Sequence, residues 1–291
     1  MTPSSTHSSQ TNSQHHPFYF DPNSTLWHIA KENVLLLGGG RALLLQIAHP
    51  LIGEAVYEHS YFREKPLTRL RHTLDLTYTM AFGSRDEVLQ AARTINRRHR
   101  PVKGALSEEV GQHARGAAYN ALDPELGAWV LATLIEGALT LYSRFVGPLN
   151  DDMKQAYYDD LKRIGNLLGV SQALLPDTFT GLQDYMNTMI TDGHVVVSRR
   201  ARSMAPYVLS LHKPYLLPGA YPYARLTIAL LPPVIREQFG FKLSRTEARL
   251  AELFVAGVRR SLPVLPSRLR YISYYHRAQH LLKQHQAALG E

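Results

Sequence analysis

The stretch DPELGAWVLATLIEGALTLYSRF, residues 123–145, decides the fold. Asp123 is a good N-cap, Pro124 fits the first helical position, and Glu125 complements the positive end of the helix dipole. From Leu126 through Trp129, Val130, Thr133, Leu134, Gly137, Leu141 and Phe145 the run is apolar nearly all round. A helix with that pattern is a central, buried one. Its apolar surface suits the core, with a homodimer interface as the alternative. Gly147-Pro148 ends it.

Helical patterning continues on both sides. Upstream, Asn23-Ser24-Thr25 caps a helix through Trp27, Ile29, Ala30, Val34 and Leu35. Gly38-Gly39-Gly40 is expected to be a flexible break. A helix over Ala42–Ala48 is interrupted at Pro50, with His49 placed to satisfy helix-end carbonyls. Pro66 starts a helix that ends near Gly83, and Ser84 caps the next, to about Arg98, which Pro101 stops. Ser107 with Glu108 and Glu109 is expected to open a short helix toward Tyr119. Downstream, helices are expected at about 151–168, 178–200, 221–232 and 244–261. Val195-Val196-Val197 falls within the helical period of the second of these. A last helix begins near Ser267 and fades by about 285. The expectation is one all-α domain over residues 17–285, with a polar disordered tail at 1–16 and a frayed end at 286–291.

Composition narrows the chemistry. Of 291 residues, 45% are hydrophobic and 19% charged, enough apolar material for a packed core. Cysteine is absent, which excludes disulfides, zinc ribbons, iron–sulfur clusters and thiol catalysis. The 32 Lys+Arg against 24 Asp+Glu leave a formal charge of +8. The cations are scattered and no aromatic-plus-basic recognition motif accompanies them, so no nucleic-acid partner is expected. Residues 1–16 lack the apolar run of a secretory signal, and no uninterrupted apolar stretch reaches the length of a membrane span. The expectation is a cytoplasmic protein without stable membrane insertion.

The G-x-S-x-G elbow, the phosphate loop, H-E-x-x-H and the Glu-x-x-His signature of di-iron bundles are all missing. Two constellations remain. His99 lies at a helix end beside Arg93, Arg97 and Arg100, where an imidazole and anion-pairing guanidiniums suit a haem with two propionates or, more plainly, a solvated basic helix end. Arg69, His72 and Thr73 sit at i, i+3 and i+4, so one helix face presents a cation, an imidazole and a hydroxyl. The plainer reading is the wet side of an amphipathic helix.

Several stretches taken together resemble one family. They are GGGRALLLQIAHPLIGEAVYEHSYF (38–62), RLRHTLDLTYTMAFGS (69–84), INRRHRPVKG (95–104), YNALDPELGAWVLATLIEGALTLYSRFVGPL (119–149), LPPVIREQFG (231–240) and RRSLPVLPSRLRY (259–271). In order and spacing they are similar to the haem-dependent oxygenase domain shared by latex-clearing rubber oxygenases and MpaB. The resemblance implies an all-helical fold, haem b as cofactor, O2 as co-substrate and oxidative cleavage of carbon–carbon double bonds in isoprenoid chains. It implies His99, in His99-Arg100-Pro101-Val102-Lys103-Gly104, as proximal iron ligand. Arg93, Arg97 or Arg100 would pair with propionates. On the distal side the rubber enzymes carry Arg-x-x-Lys-Thr. Arg69 and Thr73 match that pattern, and His72 stands in place of the Lys, as an O2 hydrogen-bond donor or a sixth ligand. Leu131 stands where relatives often carry His. Without an export signal, a small apolar terpenoid- or lipid-like substrate is expected rather than rubber. The electron donor is unknown. The alternatives are a non-catalytic haem-binding or gas-sensing protein and a haem-free lipid-binding helical protein.

Overall fold

The computed structural model describes residues 16–60, 66–210 and 219–290. The first fifteen residues of the expected tail lie outside them. Among the described residues there are fourteen α-helices and a single two-stranded sheet, so the chain is one all-α domain.

The helix over Pro124–Phe145 (α6) is its centre. Asp123 caps it by accepting from the Glu125 N–H, and twelve of its side chains are buried. It is 22 residues long with a mean hydropathy of 1.4, long and apolar enough to cross a membrane, but most of that surface is covered by the rest of the fold. Gly39–Ala48 (α2), Asp151–Leu167 (α7) and Arg245–Ser261 (α12) pack around it. The polar groups that α6 buries are answered. Trp129 Nε1 donates to Leu45 O at 3.1 Å, and Gln46 Nε2 to Thr133 Oγ1 at 3.2 Å. Arg41 grips Glu136 with both guanidinium nitrogens at 2.6 and 3.0 Å, and its Nε reaches Leu230 O at 2.8 Å. The Tyr142 hydroxyl pairs with His28 Nε2 at 2.7 Å.

The glycine triplet is no flexible break. Gly38 closes a 3₁₀ turn and Gly39 and Gly40 begin α2. Their small size serves packing: a Cβ on Gly38 would come within 2.7 Å of Leu141, and one on Gly40 within 2.8 Å of the Tyr223 hydroxyl. The break falls at Pro50, where Pro50–His59 (α3) leaves the preceding helical segment at 108°. His49 lies at that corner with extended backbone, but its side chain makes no cap bond. It turns inward instead, with its ring 5.2 Å from that of His113.

Pro66–Phe82 (α4) and Arg85–His99 (α5) form a helical hairpin. Ser84 caps α5 as expected, and the structure adds a full capping box with Glu87. Two residues join the helices and they pack closely, so they run antiparallel. The hairpin leans on the rest through Thr25–Ala30 (α1) and Ser273–Gly290 (α14) rather than on α6 itself.

The expected helix at 107–119 is absent. Lys103–Ala105 (β1) and Ala118–Asn120 (β2) pair antiparallel, with Gly104 opposite Tyr119. The groups that would start a helix have partners elsewhere. The Ser107 N–H donates to Glu54 Oε1 at 2.8 Å, and Glu108 accepts from the Arg199 N–H at 2.9 Å. Gly111 and Gly116 take positive φ, which no helix tolerates. The expected helix over 178–200 is likewise split into Phe179–Thr191 (α8) and Arg199–Ser210 (α9). Gly193 at φ +79° turns the chain, and the Val197 N–H goes to Gln238 Oε1 at 2.8 Å, leaving Val195–Val197 outside helix. The C-terminal helix starts at Ser273, after a short turn at Ser267–Arg270, and continues past 285 to Gly290.

Candidate functional site

Both sequence-flagged constellations fall on the α4–α5 hairpin, toward its open end, remote from the Gly83-Ser84 turn. Along α5, Val88, Ala91 and Ala92 are buried and Ile95 packs against the core. His99 continues that stripe, eleven residues after Val88 and four after Ile95, so it projects from the inward side of the helix. There the core runs out, and His99 keeps solvent access. Surrounding protein nevertheless lowers its pKa by desolvation, favouring the neutral imidazole. Its ring nitrogens make no hydrogen bond among the described residues.

The chain beyond His99 is pinned. Pro101 ends the helix, and Val102 N–H donates back to His99 O at 2.9 Å. Gly104 then passes so close to Tyr119 that a Cβ would lie 2.4 Å from its hydroxyl. That hydroxyl pairs with His59 Nε2 at 3.0 Å, which ties β1–β2 to the end of α3. Asn96, one turn before His99, donates to Leu167 O at 3.3 Å and fastens α5 to α7. Its Oδ1 is buried with no partner, as is Ser60 Oγ at the end of α3. The orphaned Asn96 Oδ1 lies one turn before His99.

Arg69, His72 and Thr73 share one side of α4, with Leu76 a turn further on. Arg69 is half-buried, and desolvation lowers its pKa while leaving it a cation. His72 and Thr73 are exposed. The opposite side of α4, with Leu70, Arg71, Leu74, Asp75 and Tyr78, faces a separate groove against α14. Within that groove the Tyr274 hydroxyl donates to Asp75 Oδ1. Burial and the Asp75 charge push Tyr274 up to about 12.

The arginines of the first constellation are less well gathered. Arg93 and Arg97 project from the other side of α5 from His99, and Arg100 is the cap residue beyond it. All three are exposed. A propionate would have to reach round the helix end to meet Arg97 or Arg100. Sequence reasoning missed the His59–Tyr119 pair and the His49–His113 contact. Each joins residues sixty or more positions apart with no local pattern. Burial lowers the His49 pKa to about 3, helped by the nearby His113 and His194, and its Nδ1 is buried without a partner.

Fold and site together define an all-helical protein with His99 and the Arg69–His72–Thr73 face at the open end of one hairpin. The sequence profile described as "ER-bound oxygenase mpaB/B'/Rubber oxygenase, catalytic domain" matches residues 26–260, and the chain belongs to that family of oxygenases. The chain is 26% identical over 234 residues to the uncharacterized protein Rv2237 of Mycobacterium tuberculosis, covering 78% of this chain and 88% of the relative. The uncharacterized protein Mb2261 of Mycobacterium bovis matches over the same span at the same identity. No solved structure matches the chain.

Proposed function

We propose that this oxygenase uses haem b and O2 on a small apolar, isoprenoid- or lipid-like substrate, with oxidative C=C cleavage as the transformation. One observation carries the reading: His99 ends the inward stripe of α5 as a neutral imidazole with no hydrogen bond to its ring nitrogens. An axial iron ligand requires a neutral imidazole with one ring nitrogen free.

The residues would divide the work as follows. His99 would hold the iron, and the Pro101 stop with the Gly104–Tyr119 contact fixes the direction of its helix end. The haem, when bound, supplies the redox centre at which O2 is activated. Arg69 offers a partly desolvated positive charge, which stabilises developing negative charge better than a solvated one. His72 and Thr73, one turn along the same side of α4, offer a ring N–H and a hydroxyl as hydrogen-bond donors. Cleavage of one C=C bond by one O2 gives two carbonyl groups. That stoichiometry balances without net electrons, so a donor is needed only to keep iron reduced.

The test is O2 uptake by haem-loaded, reduced protein over a panel of unsaturated terpenoids and fatty acids. Consumption of one O2 per two carbonyls formed supports the reading. Haem-loaded protein that consumes no O2 with any of them contradicts it.

A further inference from the structure

The groove on the other side of α4 is independent of the haem reading. It lies between α4, α14 and the 33–38 turn and has a volume of about 1190 Å³. Ligand pockets for small molecules run to about 300–1,000 Å³, so this one has room for something longer. Leu36, Leu70, Leu74 and Ile272 form its apolar part, and Leu36 and Leu70 are 38% and 43% exposed. From Leu70 to Tyr78 the apolar strip follows α4 for about two turns, roughly 12 Å.

Around that strip stand Arg71, Arg268 and Lys283, none of which makes an ion pair among the described residues. The carboxylate in the lining, Asp75, is already engaged by Tyr274. His276 is also occupied, on Ser267 O at 3.1 Å. The groove therefore offers an elongated apolar surface and an excess of unspent positive charge in its lining. A neutral ligand would leave those cations unanswered. A second copy of the same face would set them against each other, because a two-fold interface pairs a surface with itself.

We propose that this groove binds a single long-chain amphiphile with an anionic head, of which a fatty carboxylate is the simplest. The chain lies along Leu70 and Leu74, and the head pairs in solvent contact with a cation of the lining, Arg71, Arg268 or Lys283. The same helix carries Arg69, His72 and Thr73 on its other side, so an occupant would press on the helix that presents them.

The test uses the full chain, titrated calorimetrically with monomeric oleate, oleyl alcohol and butyrate. Oleate is expected to bind at one per chain, oleyl alcohol about tenfold more weakly, and butyrate not measurably. Two double variants, Arg71→Glu with Lys283→Glu and Leu36→Asp with Leu70→Asp, alter surface positions, and thermal melting checks that each still folds. Each is expected to weaken oleate at least tenfold, and raised salt is expected to weaken the wild type. Oleate binding unchanged in both folded variants would overturn the proposal by placing the ligand elsewhere. So would a chain that ignores oleate but sediments with phosphatidylglycerol-containing vesicles. A dimer that these variants dissociate would overturn it too, by assigning the groove to a second copy.

Discussion

The middle of α6 and the open end of the α4–α5 hairpin treat polar groups in opposite ways. Along α6, Trp129, Thr133, Glu136, Thr140 and Tyr142 each have a hydrogen-bond partner, and the Arg41–Glu136 pair is gripped at two points. At the hairpin end, the His99 ring has none among the described residues, and Asn96 Oδ1 and Ser60 Oγ are buried alone. A buried polar group without a partner costs about 1–3 kcal/mol. Buried polar atoms without a partner also lie elsewhere, at Trp27 Nε1, His49 Nδ1, Glu54 Oε2 and Thr227 Oγ1, so the contrast is between α6 and the hairpin end and not between the whole fold and the site.

Substitutions can break that division. The largest stability effect is expected at α6. Glu136→Ala leaves the Arg41 guanidinium, 4% exposed, without its carboxylate, and about 3–5 kcal/mol of stability is expected to be lost in denaturant unfolding. If Glu136→Ala melts like the wild type, the pair is not structural. At the hairpin end, His99→Ala is expected to change stability by no more than about 0.5 kcal/mol, because an exposed side chain with no partner contributes little.

Acid probes a third place, the α2–α3 corner. His49 has a folded pKa near 3, below the value of 6.5 expected when unfolded. The unfolded chain therefore binds the extra proton between those limits. Stability from this group is complete above pH 6.5 and falls as pH drops toward 3, by up to about 5 kcal/mol. His49→Leu is expected to flatten that slope in unfolding measured from pH 7 to 4. An equally steep slope in the variant would assign the acid sensitivity to other groups.

Smaller effects are expected at Gly40 and His72. Gly40→Ala brings a methyl within 2.8 Å of the Tyr223 hydroxyl, an overpacking cost of about 1–3 kcal/mol. Helix propensity returns about 1 kcal/mol, so a net loss near 1 kcal/mol is expected by thermal melting. His72→Leu is expected to leave haem loading intact and shift the absorption spectrum of the CO complex. An unchanged CO spectrum would remove His72 from the distal side.

Much of this division is legible in the sequence. The Asp123-Pro124-Glu125 start and the all-round apolar run give α6, and Ser84 gives the start of α5. What escapes is wherever a distant partner takes over a local signal. Ser107-Glu108-Glu109 looks like a helix start, yet Glu54 and Arg199 claim its groups. The glycine triplet looks loose, yet Leu141 and Tyr223 press against it. At the site, the helical period alone places His99 on the stripe of Val88 and Ile95 and turns Arg93 and Arg97 away from it. The role of Tyr119 is invisible locally, because Gly104 and His59 meet it only in the folded chain.

The most direct test of the central claim is a pyridine haemochrome assay on wild type and His99→Ala, prepared identically and offered haemin. Near-stoichiometric haem b is expected in the wild type, with most of it lost in His99→Ala at an unchanged melting temperature. A wild type that refuses haemin, or a His99→Ala protein that holds as much haem, would contradict it.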